Sequence, residues 1–164
     1  MKKIFLILVV LIAVVLLLAW KSGAPKVIKI QEKQKEGGQL QQKIIYKNAS
    51  NDMIKIELPF AGAVVGKEFS VLGEARGYWF FEASFPIEVL GSKGERLATG
   101  IAQAGPDRIT GEINWMTTNF VPFRADIKVP ENYTGRATLI LHKDNPSGLS
   151  ENDASVAMPI IIAE

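Results

Sequence analysis

The chain has no cysteine. That removes disulfide cross-links, thiolate metal ligands and thiol nucleophiles together, and it leaves the redox compartment undecided. A single histidine, His142, is present, so no transition-metal ligand set can be assembled and no cofactor is expected. Glycine-rich phosphate loops are missing as well, since neither Gly-x-Gly-x-x-Gly nor a Walker pattern occurs. Arginine is absent from the first 52 residues, where nine lysines against three acidic residues give +6. Residues 53–164 hold ten basic and fourteen acidic side chains, giving −4. The basicity therefore belongs to the leading segment, and the mildly acidic remainder argues against nucleic acid as a partner.

What is present begins with an apolar run. From Ile4 to Trp20 all seventeen residues are apolar, with Lys2 and Lys3 before them and Lys21 after. As a helix rising ~1.5 Å per residue the run spans roughly 25 Å, a little short of the ~30 Å hydrocarbon core, and local thinning with an interfacial Trp20 closes the gap. Residues 1–21 are expected to be a retained signal anchor. The alternative is a cleaved signal peptide and a secreted product, but the small-residue candidate Ser22-Gly23-Ala24 is followed by Pro25. A lipoprotein anchor requires a cysteine and is excluded. Lysines flank both ends, so the position of the run rather than its charge places the C-terminal domain outside the cytoplasm, single-pass at the cell membrane. Residues 22–52, rich in Lys, Gln, Glu, Gly and Asn, read as a flexible polar linker. Within it Ile44-Ile45-Tyr46 is either a short sticky segment or an extra strand.

From Met53 the pattern changes to two-residue alternation broken by turn residues. Ile54, Ile56 and Leu58 alternate, then Phe69, Val71, Gly73 and Ala75. An aromatic run follows, in which Trp79, Phe81, Ala83, Phe85, Ile87 and Val89 share one apolar face while Glu82, Ser84 and Glu88 take the other. Leu97, Thr99 and Ile101 come next, then Val121 to Val129, Ala137 to Leu141, and Val156 to Ile162, where the outward Pro159 suggests an edge strand. About seven short strands in residues 53–164 predict an all-β fold, an immunoglobulin-like antiparallel β-sandwich, with a small barrel as the alternative.

Catalytic readings fare poorly. His142, Asp144 and Ser147 sit within six residues of one strand end and can seldom converge as a triad. The segment Asp144 to Asp153 is rich in oxygen ligands, but Pro146 and Gly148 occupy the wrong places for a calcium loop, so a hairpin connection is the expectation. Glu82 and Glu88 lie on one wet strand face rather than across a groove. Asn48-Ala49-Ser50 and Asn132-Tyr133-Thr134 fit the glycosylation sequon, a short pattern that often arises by chance. No catalytic or metal-binding residue is assigned. The candidates for ligand contact are aromatic: Trp115 and Phe120, in the cluster Trp115 to Phe123, and Tyr133. Trp115 is read either as a stacking platform or as a plug closing one end of the sandwich.

Four stretches taken in order carry a resemblance. They are Gly73-Glu74-Ala75-Arg76-Gly77, Trp79 to Pro86, Asn119-Phe120-Val121-Pro122-Phe123, and Asp144-Asn145-Pro146-Ser147-Gly148. Together they resemble the immunoglobulin-like domain associated with bacterial spore germination, over roughly Ile54 to Ile162. The resemblance implies a bacterial, extracytoplasmic domain, often attached to a membrane or secreted chain, with no assigned catalytic residues and no defined ligand. On physical grounds the matched residues look structural, with Trp79 and Phe81 as core and Asp144 to Gly148 as a fixed turn. No companion germination-type domain accompanies it in these 164 residues, so germination is not carried over as the biological role.

The functional expectation is a non-catalytic, membrane-tethered binding module of the bacterial cell envelope, contacting a protein or polysaccharide partner through loops at one end or through an edge strand. The alternative is a structural subunit of an envelope or germination-related assembly. An enzyme ranks third.

Overall fold

The computed structural model describes residues 43–164, which form nine strands and two short 3-10 turns. The anchor expected at residues 1–21, and residues 22–42 of the expected linker, lie outside the described residues. Among the described residues no helix is long and apolar enough to cross a membrane.

The strands are β1 (Ile45–Lys47), β2 (Ile54–Leu58), β3 (Val64–Val65), β4 (Glu68–Arg76), β5 (Ser84–Gly91), β6 (Arg96–Ala104), β7 (Phe120–Lys128), β8 (Gly135–His142) and β9 (Ser155–Ile162). They pair in the order β1-β9-β8-β5-β6-β7-β4-β2, with β3 added parallel to β9. The expected sandwich of separate sheets is instead one curled, almost wholly antiparallel sheet. Its two halves are joined by a narrow seam, Gln103 opposite Arg124 and Ala104 opposite Phe123. Both halves turn their apolar positions inward, and the curl brings Trp79, Phe85, Ile87, Val71, Leu139 and Met158 into one core with almost no exposure. Such shared burial is the main stabilising term for a fold of this size.

Several expectations are corrected by the register. The domain begins before Met53: β1 lies inside the segment expected as linker and pairs with β9, Ile45 opposite Ala157 and Lys47 opposite Ser155. The strand expected from Trp79 to Val89 starts only at Ser84. Residues 77–79 form a 3-10 turn, and Glu82 and Ala83 adopt positive φ, which breaks alternation. The turn buries Trp79 and Phe80 together and leaves Phe81, expected in the core, exposed. It also takes Glu82 off the strand that carries Glu88. In β6 the parity is reversed. Phe85, Ile87 and Val89 pair with Ala102, Gly100 and Ala98, so the small residues face in and Ile101 faces out. Gly100 leaves the space that Ile127 fills, since a β-carbon there would sit 2.4 Å from the Ile127 Cδ1.

Nor is β9 an edge strand. It is flanked by β8 on one side and by β1 and β3 on the other. Pro159 falls in the gap between β1, which ends opposite residues 155–157, and β3, which starts opposite 161. The proline nitrogen, which cannot donate, therefore faces a place where no ladder partner is required.

Candidate functional site

Three connections meet at one end of the curled sheet: residues 77–83 between β4 and β5, 105–119 between β6 and β7, and 143–154 between β8 and β9. The link from β1 to β2 joins them, because the Asn48 side-chain amide donates to the Asp153 carbonyl at 3.0 Å. The longest connection, 105–119, is held at three places. Asp107 Oδ1 accepts the backbone N–H groups of Ile109 and Thr110, each at 2.8 Å. These two bonds hold the Asp107 carboxyl below its ordinary range. Arg108 Nη2 reaches Glu57 on β2 at 2.8 Å and 3.0 Å, one bond to each carboxylate oxygen. At the far end, Gly77 donates its backbone N–H to the Asn119 carbonyl at 3.2 Å.

The fixed loop turns apolar side chains outward. Ile109 is 94% exposed and Met116 78%, with Ile113 exposed between them. Tyr78, Phe81 and Leu149, on the other two connections, are exposed at the same end. Six large apolar groups are thus exposed on the three connections at this end of the sheet. Beside them a cleft of about 220 Å³ lies between the loop and the start of β7, lined by Asp107, Thr110, Glu112, Asn114, Asn119 and Phe120, among others.

The three aromatic candidates do not come together. Trp115 is half-buried and packs against the core, and its carbonyl lies against Gly77, where a β-carbon would come within 2.2 Å. It is placed as a plug rather than as a free platform. Phe120 lies on the outward side of β7, and its ring carries two cations, Lys55 Nζ at 3.9 Å and the Arg76 guanidinium at 4.0 Å from its centroid. Tyr133 stands at the other end of the sheet, in the connection after β7. Nine residues of β7, at ~3.3 Å each, separate the two ends by roughly 25 Å or more. The Tyr133 hydroxyl accepts the Ser92 backbone N–H at 3.0 Å and donates to the Arg136 carbonyl. It ties the β5–β6 turn to the start of β8.

Among the residues weighed for catalysis, the His142 and Ser147 side chains each have a neighbour outside the imagined triad. His142 Nε2 faces Glu88 at 3.6 Å. The Asp144 backbone N–H donates to the Trp79 carbonyl at 3.0 Å, and Ser147 Oγ donates to Asn145 Oδ1 at 2.5 Å. The 143–154 connection is cross-braced further by Asn145 Nδ2, which donates to the Leu149 carbonyl and to Asp153. Among the described residues no group of three or more His, Asp or Glu is placed to hold a metal ion.

Sequence reasoning missed Ile109, Ile113 and Met116. They follow no strand alternation, and apolar residues outside a period carry no directional signal. The length of the segment was the available clue, because connections beyond about 12–15 residues are uncommon and are often functional.

Strand order, core and loop placement together define an all-β, immunoglobulin-like domain that exposes a cluster of loops at one end. The family model described as the immunoglobulin-like domain of bacterial spore germination matches residues 53–150, and the chain belongs to that family. No curated protein and no solved structure matches the chain.

Proposed function

We propose that this chain is a non-catalytic binding module, and that its contact surface is the loop end formed by residues 77–83, 105–119 and 143–154. The observation that carries the reading is the outward display of Ile109 and Met116 on a loop fixed by Asp107, Arg108 and Gly77. A loop ordered by its own hydrogen bonds loses little entropy when it binds, so exposed apolar groups on it convert efficiently into affinity. The partner is a protein of the bacterial envelope, because aliphatic side chains of this size need an apolar surface to cover them. Residues 1–21 tether the module in the cell membrane with the folded domain outside the cytoplasm, and the remaining linker sets its reach.

Cross-linking the full-length protein in its native envelope, followed by mass spectrometry, tests this. A reproducible protein partner that is lost in the Ile109→Asp/Met116→Asp double variant, with the domain's melting temperature unchanged, is the expected result. Capture of glycan alone, or capture unaffected by the double variant, overturns the reading.

A further inference from the structure

A second set of exposed apolar side chains lies at the margin formed by β1, β3 and β9, away from the loop end. β9 alternates strictly, so Ala157, Pro159 and Ile161 turn outward while Met158, Ile160 and Ile162 enter the core. Two short strands extend this side of the sheet: β1 sets Ile45 opposite Ala157, and β3 sets Val64 beside Ile161. The link from β2 is pinned to the same strand. Gly62 donates its backbone N–H to the Pro159 carbonyl at 2.7 Å, and the Ala63 carbonyl accepts the Ile161 N–H at 2.9 Å. The link thereby brings Phe60, 66% exposed, to the margin where Val64 is 67% exposed. Ile45 and Ile161 are exposed as well. The apolar set stops at β8, where Arg136 and Thr138 stand opposite Ile161 and Pro159.

We propose that this margin docks on the lipid bilayer that holds residues 1–21, with Phe60, Val64, Ile161 and Ile45 seated in the headgroup layer. The inference rests on the membrane tether of the preceding section. The place where the described chain begins is the first argument. That place is Lys43, at this margin. Followed back from Lys47 to Ile45, β1 runs along β9 from Ser155 toward Ala157, and so toward the stretch that carries β3. Residues 21–42 separate this point from the apolar run, and a chain of that length spans at most roughly 80 Å. A site tethered within that range meets the bilayer at high effective concentration, so a patch too small to hold a free protein on lipid suffices.

Composition is the second argument. Lys43 and Lys47 flank Ile45 and are exposed with it, and Arg136 borders Ile161. Cations around an apolar centre suit a headgroup layer, where basic side chains keep their charge among the phosphates while aliphatic and aromatic groups enter the acyl boundary. Glu57, beside Leu58, is already paired with Arg108 at 2.8 Å, which leaves Glu164, past the end of β9, as an opposing charge. Docking in this way also orients the loop cluster. β9 starts at Ser155, beside the loop end, and reaches Ile161 six residues later, roughly 20 Å along the strand. With Ile161 against lipid, Ile109 and Met116 are displayed away from the bilayer, where a partner can reach them.

Because the chain has no cysteine, Val64→Cys and Glu151→Cys each introduce a sole thiol for an environment-sensitive fluorophore, one at the margin and one at the loop end. Each full-length variant is reconstituted into vesicles of phosphatidylcholine and phosphatidylglycerol that carry a doxyl-labelled lipid as quencher. Emission from position 64 should shift to the blue and be quenched by the doxyl lipid, whereas position 151 should stay unquenched. Phe60→Asp added to Val64→Cys should remove most of the quenching while melting stays cooperative. Equal quenching at 64 and 151, or quenching at 64 unaffected by Phe60→Asp, overturns the docking. So does a blue shift at 64 without lipid quenching, which would mean that a protein or a second copy covers the patch. A chain that floats with the vesicles and resists carbonate extraction keeps its tether under any of these results, whereas a chain that does not float overturns tether and docking together.

Discussion

Gly77 and Thr117 are in backbone contact that a side chain at position 77 forbids: a β-carbon there would lie 2.0 Å from the Thr117 carbonyl oxygen. The contact seats the end of the 105–119 loop on the turn that follows β4, and the neighbouring Trp115 carbonyl, at 2.2 Å from the same position, leaves no route for relaxation. Gly77→Ala must therefore push two backbones apart. The expected cost is about 1–3 kcal/mol, or a fall in melting temperature of roughly 5–15 °C. Gly66→Ala, where the nearest atom is 3.7 Å away, should leave the melt unchanged. Calorimetry of the two variants checks the contrast, and equal melting temperatures would remove Gly77 as the seat of the loop.

Trp79 is fully buried, and its indole N–H has no hydrogen-bond partner among the described residues. Its ring meets Phe85 edge-on with centroids 6.4 Å apart. Truncation to alanine removes this packing and should cost about 3–5 kcal/mol. Phenylalanine keeps most of the apolar volume and removes a donor whose burial without a partner costs about 1–3 kcal/mol. Trp79→Phe should thus lose less than half of what Trp79→Ala loses in urea unfolding. Equal losses would show that the indole N–H makes a bond that stabilises the fold.

Much of this fold was legible because a strand's period is two. Val121 to Val129 and Val156 to Ile162 alternate without interruption, and their inward sets are the ones buried. Legibility failed where another constraint overrode the period. Phe80 and Phe81 exchanged places because the turn at 77–79 and the positive φ of Glu82 and Ala83 reset the register. β6 reversed over Ala98 to Ala102 because its inward positions there hold small residues against Ile127 and Ile101 points outward, while Leu97, at the register shift, packs against the core. A hydrophobic count cannot detect that arrangement. The candidate site was the least legible part. Aromatic content drew attention to Trp115, Phe120 and Tyr133, whereas exposure depends on loop conformation, and it was Ile109 and Met116 that emerged at the surface.

The loop should respond to acid through Asp107. Its carboxyl is held low by the backbone N–H of Thr110 and then by that of Ile109. A folded-state pKa below the unfolded value means that the stabilisation is complete above the unfolded value and disappears as pH falls through the folded one. The loop is thus fully pinned at neutral pH and loosens only at and below the ordinary carboxylate range. The amide resonances of Ile109 and Thr110, followed by NMR down the pH scale, should move together with a midpoint below that range. In Asp107→Asn they should stay flat. A midpoint at or above the ordinary carboxylate value would show that these bonds do not favour the ionised form.

Tyr133 separates structural from binding roles. Its hydroxyl takes the Ser92 N–H and gives its proton to the Arg136 carbonyl, and its own carbonyl accepts Lys67 Nζ. It thereby joins the β5–β6 turn, the start of β8 and the residue that precedes β4. Tyr133→Phe keeps the ring but leaves one backbone donor and one acceptor to find other partners. At about 0.5–1.5 kcal/mol for each bond, the domain should lose roughly 1–3 kcal/mol of stability. Because this corner lies at the opposite end of the sheet from residues 77–83 and 105–119, partner capture by the full-length protein should be unchanged at temperatures where the variant remains folded. A variant with wild-type stability but weakened capture would reverse the assignment and make the β7–β8 corner, rather than the loop cluster, the contact surface. The paired readout matters because exposure alone does not distinguish an aromatic side chain that braces the fold from one that awaits a ligand.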